Sequence, residues 1–361
     1  MRWRTAAGWL PFSAPYPRRF MLERAPLGVA VVGAGYWGPN LVRNFFAADD
    51  WSVRCIVERD EARLERLLRL YPAVAGQVEI DDALSDPSVD AIALATPPRT
   101  HFELAKRAIA AGKHVLVEKP LAERLSDAVE LGKLAKNAGV TLMTDHTFLY
   151  TGSVEKLRAL RESGDLGKVY YVDSVRVNLG LFQQSNVVWD LAPHDVSIIN
   201  YVLNEAPAAV ALQLGACVHE RTPDVAFLTM WYPSGCLAHV HLSWLSPVKV
   251  RRTMLSGSLK MAVWDDVEPT EKIYIYDKGV VLNPSSTTMQ EQMVSYRLGD
   301  LHVPLVDNRE ALGKLVSDFA RAIRTGEPTR SDGAFGAGVV GVIEAALRSA
   351  QRNGAKVEVA Q

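Results

Sequence analysis

The chain has 361 residues, of which 48% are hydrophobic and 22% charged, and its formal net charge is −1. This length predicts two domains, and the near-neutral charge gives no electrostatic basis for binding nucleic acid or an anionic membrane. The cysteines, Cys55, Cys217 and Cys236, are too few and too far apart for a disulfide framework or a C-x-x-C metal pair, which favours a reducing, cytoplasmic location. No apolar run approaches the roughly 18 to 20 residues of a membrane span.

Residues 1–27 are rich in arginine and proline. The stretch "RRFML" resembles a twin-arginine export signal, but Glu23 and Arg24 interrupt the approach to the next apolar segment, which is needed as a strand. We interpret this stretch as a disordered extension, or as upstream translation with Met21 as the natural start.

Residues 28–149 alternate between short apolar runs and amphipathic segments of helical period, which predicts parallel β-α-β units and a doubly wound, NAD(P)-binding Rossmann sheet. The predicted strands are 28–34, 51–58, 89–97, 114–120 and 140–150, and the predicted helices are 38–48, 60–70, 101–111 and 125–137.

Residues 150–361 change in character, because long strand-like runs separated by turn signals predominate. They predict an α+β domain with a large open, mostly antiparallel sheet, for substrate binding and oligomerisation. The predicted strands are 168–179, 208–218, 225–232, 236–245, 249–257, 259–264 and 271–276, and the predicted helices are 153–163, 191–203, 309–324 and 337–351.

The stretch "VVGAGYWGPN" carries a G-x-G-x-x-G motif between a predicted strand and a predicted helix. Gly33 permits a tight turn, Gly35 lets the backbone approach a pyrophosphate, and Gly38 lets the helix pack close to the strand. Tyr36 and Trp37 lie in the same loop, where we expect them to contact a dinucleotide. The alternative is a glycine turn in a sheet that binds no nucleotide.

Glu58 follows Gly38 by 20 residues, at the end of the second predicted strand. A carboxylate there accepts hydrogen bonds from the adenosine ribose and repels a 2′-phosphate, which favours NAD over NADP. Arg59 beside it weakens this inference, because an arginine could pair with that phosphate.

The stretch "VEKP" places Glu118 and Lys119 at the carboxyl end of a predicted parallel strand, where open α/β sheets bind their ligands. Both are expected near the cofactor, and Lys119 could also hydrogen-bond a substrate oxygen. The alternative for Lys119 is a solvated side chain at a strand end.

The stretch "ATPPRTH" follows another buried strand, so Thr96, Pro97 and His101 are expected on the nicotinamide side of the cleft. The alternative is an ordinary turn leading into a helix.

The stretch "WDLAPHDVSIIN" sets Asp190 and His194 four residues apart, on one face of a predicted helix. Histidine is well suited to accept a proton near neutral pH, and Asp190 could fix its tautomer or bind a substrate hydroxyl. Alternatively, Asp190 caps the helix, with Pro193 in the first turn, and His194 is a satisfied core histidine.

Further polar residues lie on the predicted strands of the second domain. Arg176 and Asn178 share a strand face and could contact substrate; the alternative is a solvated sheet face. His239 and His241 also share a face, but no third ligand has suitable spacing, so we predict no metal site.

Four of these motifs, "GAGYWG", "ATPPRTH", "VEKP" and the D-x-x-x-H of "WDLAPHD", occur in this order at separations typical of the Gfo/Idh/MocA family of oxidoreductases. The chain resembles this family from about residue 28 to its C-terminus. The resemblance implies hydride transfer between NAD(P) and a carbohydrate carbon, with Lys119 and His194 as catalytic residues. It also implies a homodimer or homotetramer assembled through the open sheet.

Within the family the chain is most similar to sugar-nucleotide enzymes such as the UDP-N-acetylglucosaminuronate 3-dehydrogenases, on the stretches "YWGPNLVRNF", "VRVNLG" and "NVVWDLAPHD". It departs from many relatives at Thr147, where they have an arginine. The resemblance implies oxidation of a secondary hydroxyl, C3 of a nucleotide-linked sugar, or the reverse ketone reduction. The alternatives are an inositol or free-sugar dehydrogenase and a non-catalytic NAD(P)-binding sensor.

Overall fold

The computed structural model describes residues 25–180, 186–281 and 295–360. The predicted N-terminal extension lies, as far as residue 24, outside the described residues. The first predicted strand begins at Leu27 rather than at residue 28.

In the part of the chain that the structure describes, the first sheet contains six parallel strands in the order β3-β2-β1-β4-β5-β6. Because both faces are covered, its strands are short apolar runs; Val29 to Val31 are fully buried. The predicted doubly wound sheet is therefore confirmed. Its elements are β1 Leu27–Val32, α1 Gly38–Ala47, β2 Trp51–Val57, α2 Glu61–Leu68, β3 Ala75–Gln77, α3 Ile80–Ser85, β4 Ala91–Leu94, α4 His101–Ala110, β5 His114–Glu118, α5 Leu125–Ala138 and β6 Leu142–Asp145.

Two details of this half differ from the sequence prediction. The short elements β3 and α3 were not predicted, since three and six residues are too few to show a period. The strand predicted over 140–150 ends at Asp145, and a 3₁₀ turn follows over Thr147–Tyr150.

Among the described residues, the second sheet contains nine strands in the order β16-β13-β12-β11-β7-β10-β9-β8-β17. Neighbours are antiparallel except for β7 and β10, which confirms the predicted α+β half. Its elements are α6 Gly152–Glu162, β7 Val169–Leu179, α7 Val187–Leu203, β8 Ala209–Gly215, β9 Val225–Trp231, β10 Leu237–Ser243, β11 Leu245–Gly257, β12 Met261–Asp265, β13 Ile273–Tyr276, the separate pair β14 Gly279–Val281 and β15 Ser295–Arg297, β16 Leu301–His302, α8 Ala311–Thr325, α9 Gly333–Gln351 and β17 Val357–Glu358.

The two faces of the second sheet have different environments. One face packs against α6, α7 and α9 in a continuous apolar core. On the other face, Tyr171, Phe227 and Leu237 keep roughly two fifths of their surface exposed. Self-association through this open face stays a prediction.

Helix α8 belongs to the core of the first sheet, although the sequence division placed it in the second domain. Its Phe319 ring stacks on Trp51 with the centroids 5.4 Å apart, and the Trp51 indole donates a hydrogen bond to the Val316 carbonyl. The apolar residues Leu312 and Leu315 join the same cluster. The chain therefore returns to its first domain near its end.

Judged by length and apolar composition alone, α9 is the one helix in the described part of the chain that could cross a membrane. It packs against α5 and β8, and 61% of its apolar window is buried inside the protein.

Candidate active site

The glycine loop forms an open cradle between β1 and α1. Gly33 has φ +100°, and a Cβ added there would lie 2.7 Å from the Ala95 carbonyl oxygen. A Cβ on Gly38 would lie 1.9 Å from the Gly33 carbonyl oxygen, whereas a Cβ on Gly35 would meet no described atom within 4 Å. Within the described chain, the Trp37 side chain makes no capping bond to α1. Pro39 has no amide proton and the Asn40 amide donates to the Trp37 carbonyl oxygen at 2.9 Å, so an anion would be held by the amides that precede Pro39. This geometry fits a dinucleotide pyrophosphate.

The other predicted cofactor residues near this loop occupy the expected edge of the sheet. Glu58 accepts a hydrogen bond from the Ala34 amide at 2.7 Å, so its carboxylate stands beside the cradle. Arg59 is exposed and forms an ion pair with Glu79 at 3.3 Å. The ring of Tyr36 is 89% exposed at the loop tip. Their contacts with a cofactor stay predictions.

Lys119 joins the two domains at the carboxyl end of β5. Its ammonium donates a hydrogen bond to the Asp190 carbonyl oxygen at 2.9 Å and lies 3.8 Å from the Asp190 carboxylate. That carboxylate also accepts a hydrogen bond from the Trp244 indole at 3.0 Å. The Lys119 side chain is only 15% exposed, so the alternative of a solvated lysine is wrong.

Helix α7 carries Asp190 and His194 on one face, one turn apart. Asn186 caps this helix, accepting hydrogen bonds from the amides of Val188 and Trp189. Pro193 lies inside the helix rather than in its first turn. The alternative in which Asp190 caps the helix is therefore wrong, because Asn186 already satisfies the free amides.

His194 is a neutral imidazole in this environment. Burial lowers its pKa well below the ordinary value, and the charges of Lys119 and Arg176 lower it further. Its Nδ1 is buried and has no hydrogen-bond partner among the described residues, so it is not the satisfied core histidine of the alternative interpretation. Its ring meets the Phe148 ring edge-on, with centroids 5.1 Å apart.

Arg176 is buried beside His194 rather than on a solvated sheet face. It is 3% exposed, and its Nε donates to the Asp195 carboxylate at 2.6 Å. Its guanidinium lies 4.7 Å from the centre of the Phe148 ring, and its Nη1 is without a partner in the described part of the chain. The half-buried Asn178 donates to the neighbouring Leu179 carbonyl, and its contact with substrate stays a prediction.

The predicted cofactor contact of His101 is wrong. The ring is fully buried, and its Nδ1 and Nε2 lie 2.8 Å from the carbonyl oxygens of Pro120 and Thr96. Burial lowers the pKa of His101, while these two hydrogen bonds act in the opposite direction. His101 therefore joins the loop after β4 to the loop after β5, and leaves half-buried Thr96 and exposed Pro97 at the edge of the cleft.

Two family models match this chain. The model described as "Oxidoreductase family, NAD-binding Rossmann fold" matches residues 27–146, and the "GFO/IDH/MocA C-terminal domain" model matches residues 154–263. This chain belongs to the Gfo/Idh/MocA family of oxidoreductases. Its first domain is the NAD-binding domain, and the cradle at Gly35 lies inside the matched region.

Three proteins illustrate what this chain is similar to. The 2,7-anhydro-N-acetylneuraminate hydratase of Escherichia coli K12 is 28% identical over 59% of this chain and 60% of its own length. The uncharacterized oxidoreductase YdgJ of the same organism is 38% identical over 65% of each chain, so the alignments span roughly three fifths of both proteins. The UDP-N-acetylglucosamine 3-dehydrogenase GnnA of Acidithiobacillus ferrooxidans has the same fold, with a TM-score of 0.75, 23% identity and coverage of 90% of this chain and 98% of its own.

His146 was missed by sequence reasoning. It follows β6 directly, is 2% exposed, and neither ring nitrogen has a partner within the described residues. Burial, with a smaller effect of the Lys119 charge, lowers its pKa to about 3. The polar stretch "TDH" after an apolar run could have indicated a strand end with a functional histidine. The strand was predicted to continue to residue 150, so His146 was assigned to its interior.

Acidification should destabilise this protein partly through His146. Above pH 6.5 the imidazole is neutral in both states; below it, only the unfolded chain takes up the proton, until the pH falls to about 3. The free energy of unfolding should then fall by about 1.4 kcal/mol per pH unit from this group. Urea unfolding of His146→Leu between pH 7 and 5 should show a correspondingly smaller loss, while the exposed His302→Leu should follow wild type. Parallel curves for His146→Leu and wild type would contradict the prediction.

Proposed function

We propose that this protein transfers a hydride between NAD and C3 of a nucleotide-linked sugar, at a secondary hydroxyl or the matching ketone. The observation that carries the redox role is the convergence of Lys119 and His194. The ammonium of Lys119 is bonded to α7 one turn before His194, and its charge acts on that imidazole. The site therefore offers a cation and a neutral base at the edge where the cofactor binds.

The residues have complementary tasks in this reaction. In the oxidative direction, His194 takes the proton of the substrate hydroxyl, and Lys119 donates a hydrogen bond to the same oxygen as negative charge develops on it. The carbon–hydrogen bond would release the hydride, for which NAD⁺, when bound, would supply the acceptor. The glycine loop and Glu58 would hold the cofactor. In ketone reduction, His194 would return the proton to the same substrate oxygen.

The charges around His194 support an anionic substrate over a neutral one. Lys119, Arg176 and Arg251 all act electrostatically on His194, and Arg176 and Arg251 both lie over the Phe148 ring. Each of these cations also has a carboxylate partner: Asp190 for Lys119, Asp195 for Arg176 and Asp266 for Arg251. Arg176 nevertheless retains a buried Nη1 donor that no described group satisfies, and it is this donor that favours an anionic group. A nucleotide sugar brings phosphate oxygens to such a surface, whereas an inositol or a free sugar brings none.

A substrate panel tests this proposal. The purified protein is incubated with NAD⁺ and either UDP-N-acetylglucosamine, UDP-N-acetylglucosaminuronate, free N-acetylglucosamine or myo-inositol, and absorbance of reduced nicotinamide is followed. We expect kcat/KM for a nucleotide sugar to exceed that for the free compounds by about a hundredfold, because the charged contacts are lost with the nucleotide. Equal values would favour a free-sugar dehydrogenase. Tight NAD binding without turnover of any compound would favour the sensor.

A further inference from the structure

Two carboxyl groups stand side by side at the ends of neighbouring strands in the first sheet. Glu118 ends β5 and is the register partner of Asp145, which ends β6. The two carboxyl groups act electrostatically on each other; Asp145 is 1% exposed and Glu118 is half-buried. Two ionised carboxylates in contact at this depth would repel each other, so the pair holds one proton between them.

The remaining contacts of Asp145 show which partner is ionised. Its Oδ2 accepts a hydrogen bond from the Trp37 indole at 2.8 Å, and its Oδ1 accepts one from the Thr147 hydroxyl at 2.5 Å. A group that accepts several hydrogen bonds is more stable as an ionised carboxylate than as a protonated acid, because the protonated oxygen is a donor and accepts fewer hydrogen bonds. Glu118 is therefore the protonated partner, and it donates a hydrogen bond to the Asp145 carboxylate. Burial raises the pKa of both groups, and the charge of Asp145 raises that of Glu118 further.

This single negative charge lies toward the nicotinamide end of the cofactor edge. A dinucleotide crosses the carboxyl ends of such a sheet, with its pyrophosphate at the loop after β1 and its adenosine beside β2. Its nicotinamide half would then extend over β4, β5 and β6, given the strand order of this sheet. Trp37 belongs to the glycine loop and its indole reaches Asp145, so the pair is attached to the loop that holds the pyrophosphate.

We propose that the Glu118–Asp145 pair, held by Trp37 and Thr147, sets the preference of this site for oxidised over reduced nicotinamide. The oxidised ring carries a positive charge and the reduced ring does not. The ammonium of Lys119, the residue after Glu118, repels only the oxidised form. One negative charge from the pair offsets this repulsion, so NAD⁺ and NADH bind with more similar affinities than Lys119 alone would allow.

The experiment measures the dissociation constants of NAD⁺ and NADH for the full chain by isothermal titration calorimetry. Glu118→Gln is the matched control, because an amide replaces the protonated acid, still donates to Asp145 and leaves the charge in place. The double variant Glu118→Gln/Asp145→Asn removes the charge and gives no second carboxyl group that could take it over. Both variants are first compared with wild type by circular dichroism and thermal unfolding.

We expect the double variant to lose NAD⁺ affinity relative to NADH by about tenfold, while Glu118→Gln keeps the ratio of the two dissociation constants within about twofold of wild type. An unchanged ratio in the double variant overturns the proposal, as does an equal loss in Glu118→Gln. If the double amide variant does not fold, the apolar pair Glu118→Met/Asp145→Val removes the same charge and must show the same shift. No sugar substrate enters this measurement, so its outcome is separate from that of the proposed function.

Discussion

Replacing His194 with asparagine should lower turnover by roughly 10²–10⁴-fold, with NAD⁺ affinity close to that of wild type. The imidazole has no hydrogen bond to the glycine loop, so its loss removes the proton acceptor without disturbing the cradle. Lys119→Met should produce a loss of the same order, because the developing negative charge on the substrate oxygen then has no ammonium beside it. Rates are measured with the best substrate of the panel, and NAD⁺ binding is measured by calorimetry.

The pH profile adds a signature that a merely structural role would not produce. Because burial and the neighbouring cations lower the pKa of His194, oxidation should persist as the pH falls through 6.5 and decline only in more acidic solution. The exposed His302→Asn serves as the control and should retain the wild-type profile. Wild-type rates in both His194→Asn and Lys119→Met would remove the proposed mechanism.

Two glycine substitutions in the cofactor loop should distinguish an effect on NAD⁺ affinity from an effect on the stability of the fold. A methyl group on Gly38 would stand 1.9 Å from the Gly33 carbonyl oxygen, so Gly38→Ala should lower the free energy of unfolding by about 1–3 kcal/mol and abolish NAD⁺ binding. A methyl group on Gly35 meets no described atom within 4 Å. Gly35→Ala should therefore unfold at the wild-type temperature, yet lose about a hundredfold in NAD⁺ affinity, because the methyl group fills the space of the pyrophosphate.

Gly132→Ala is the matched control for these two variants. Gly132 lies in α5, and a Cβ there also meets no described atom within 4 Å. The substitution should leave NAD⁺ affinity unchanged and raise stability slightly, since alanine is the better helix former. Normal NAD⁺ affinity in Gly35→Ala would show that the pyrophosphate lies elsewhere.

The first sheet was predictable because its signals are local. Apolar runs such as Val29 to Val32 alternate with helical periods, and the glycines of the loop stand at fixed spacing. Lys119 and His194 could be selected for the same reason, since each belongs to a short motif next to a strand end or within one helix.

The surroundings of these two residues depend on contacts between distant segments, which no local pattern contains. Arg176 was expected on an accessible strand face, but Asp195 from another element pairs with it in the interior. The proximity of Asp145 to Trp37 joins residues 108 positions apart. The position of His101 after a strand predicted a contact with the cofactor, but its two ring nitrogens face the carbonyl oxygens of Pro120 and Thr96.

The return of α8 to the first sheet means that a fragment holding the first sheet alone lacks part of its core. A polypeptide cut after residue 150 would expose the Trp51 ring and the apolar surface that Phe319 and Val316 normally cover. During synthesis the core of the first sheet can be completed only after α8, Ala311–Thr325, has been made. Completion of the NAD-binding half is thereby coupled to the presence of the half that carries His194.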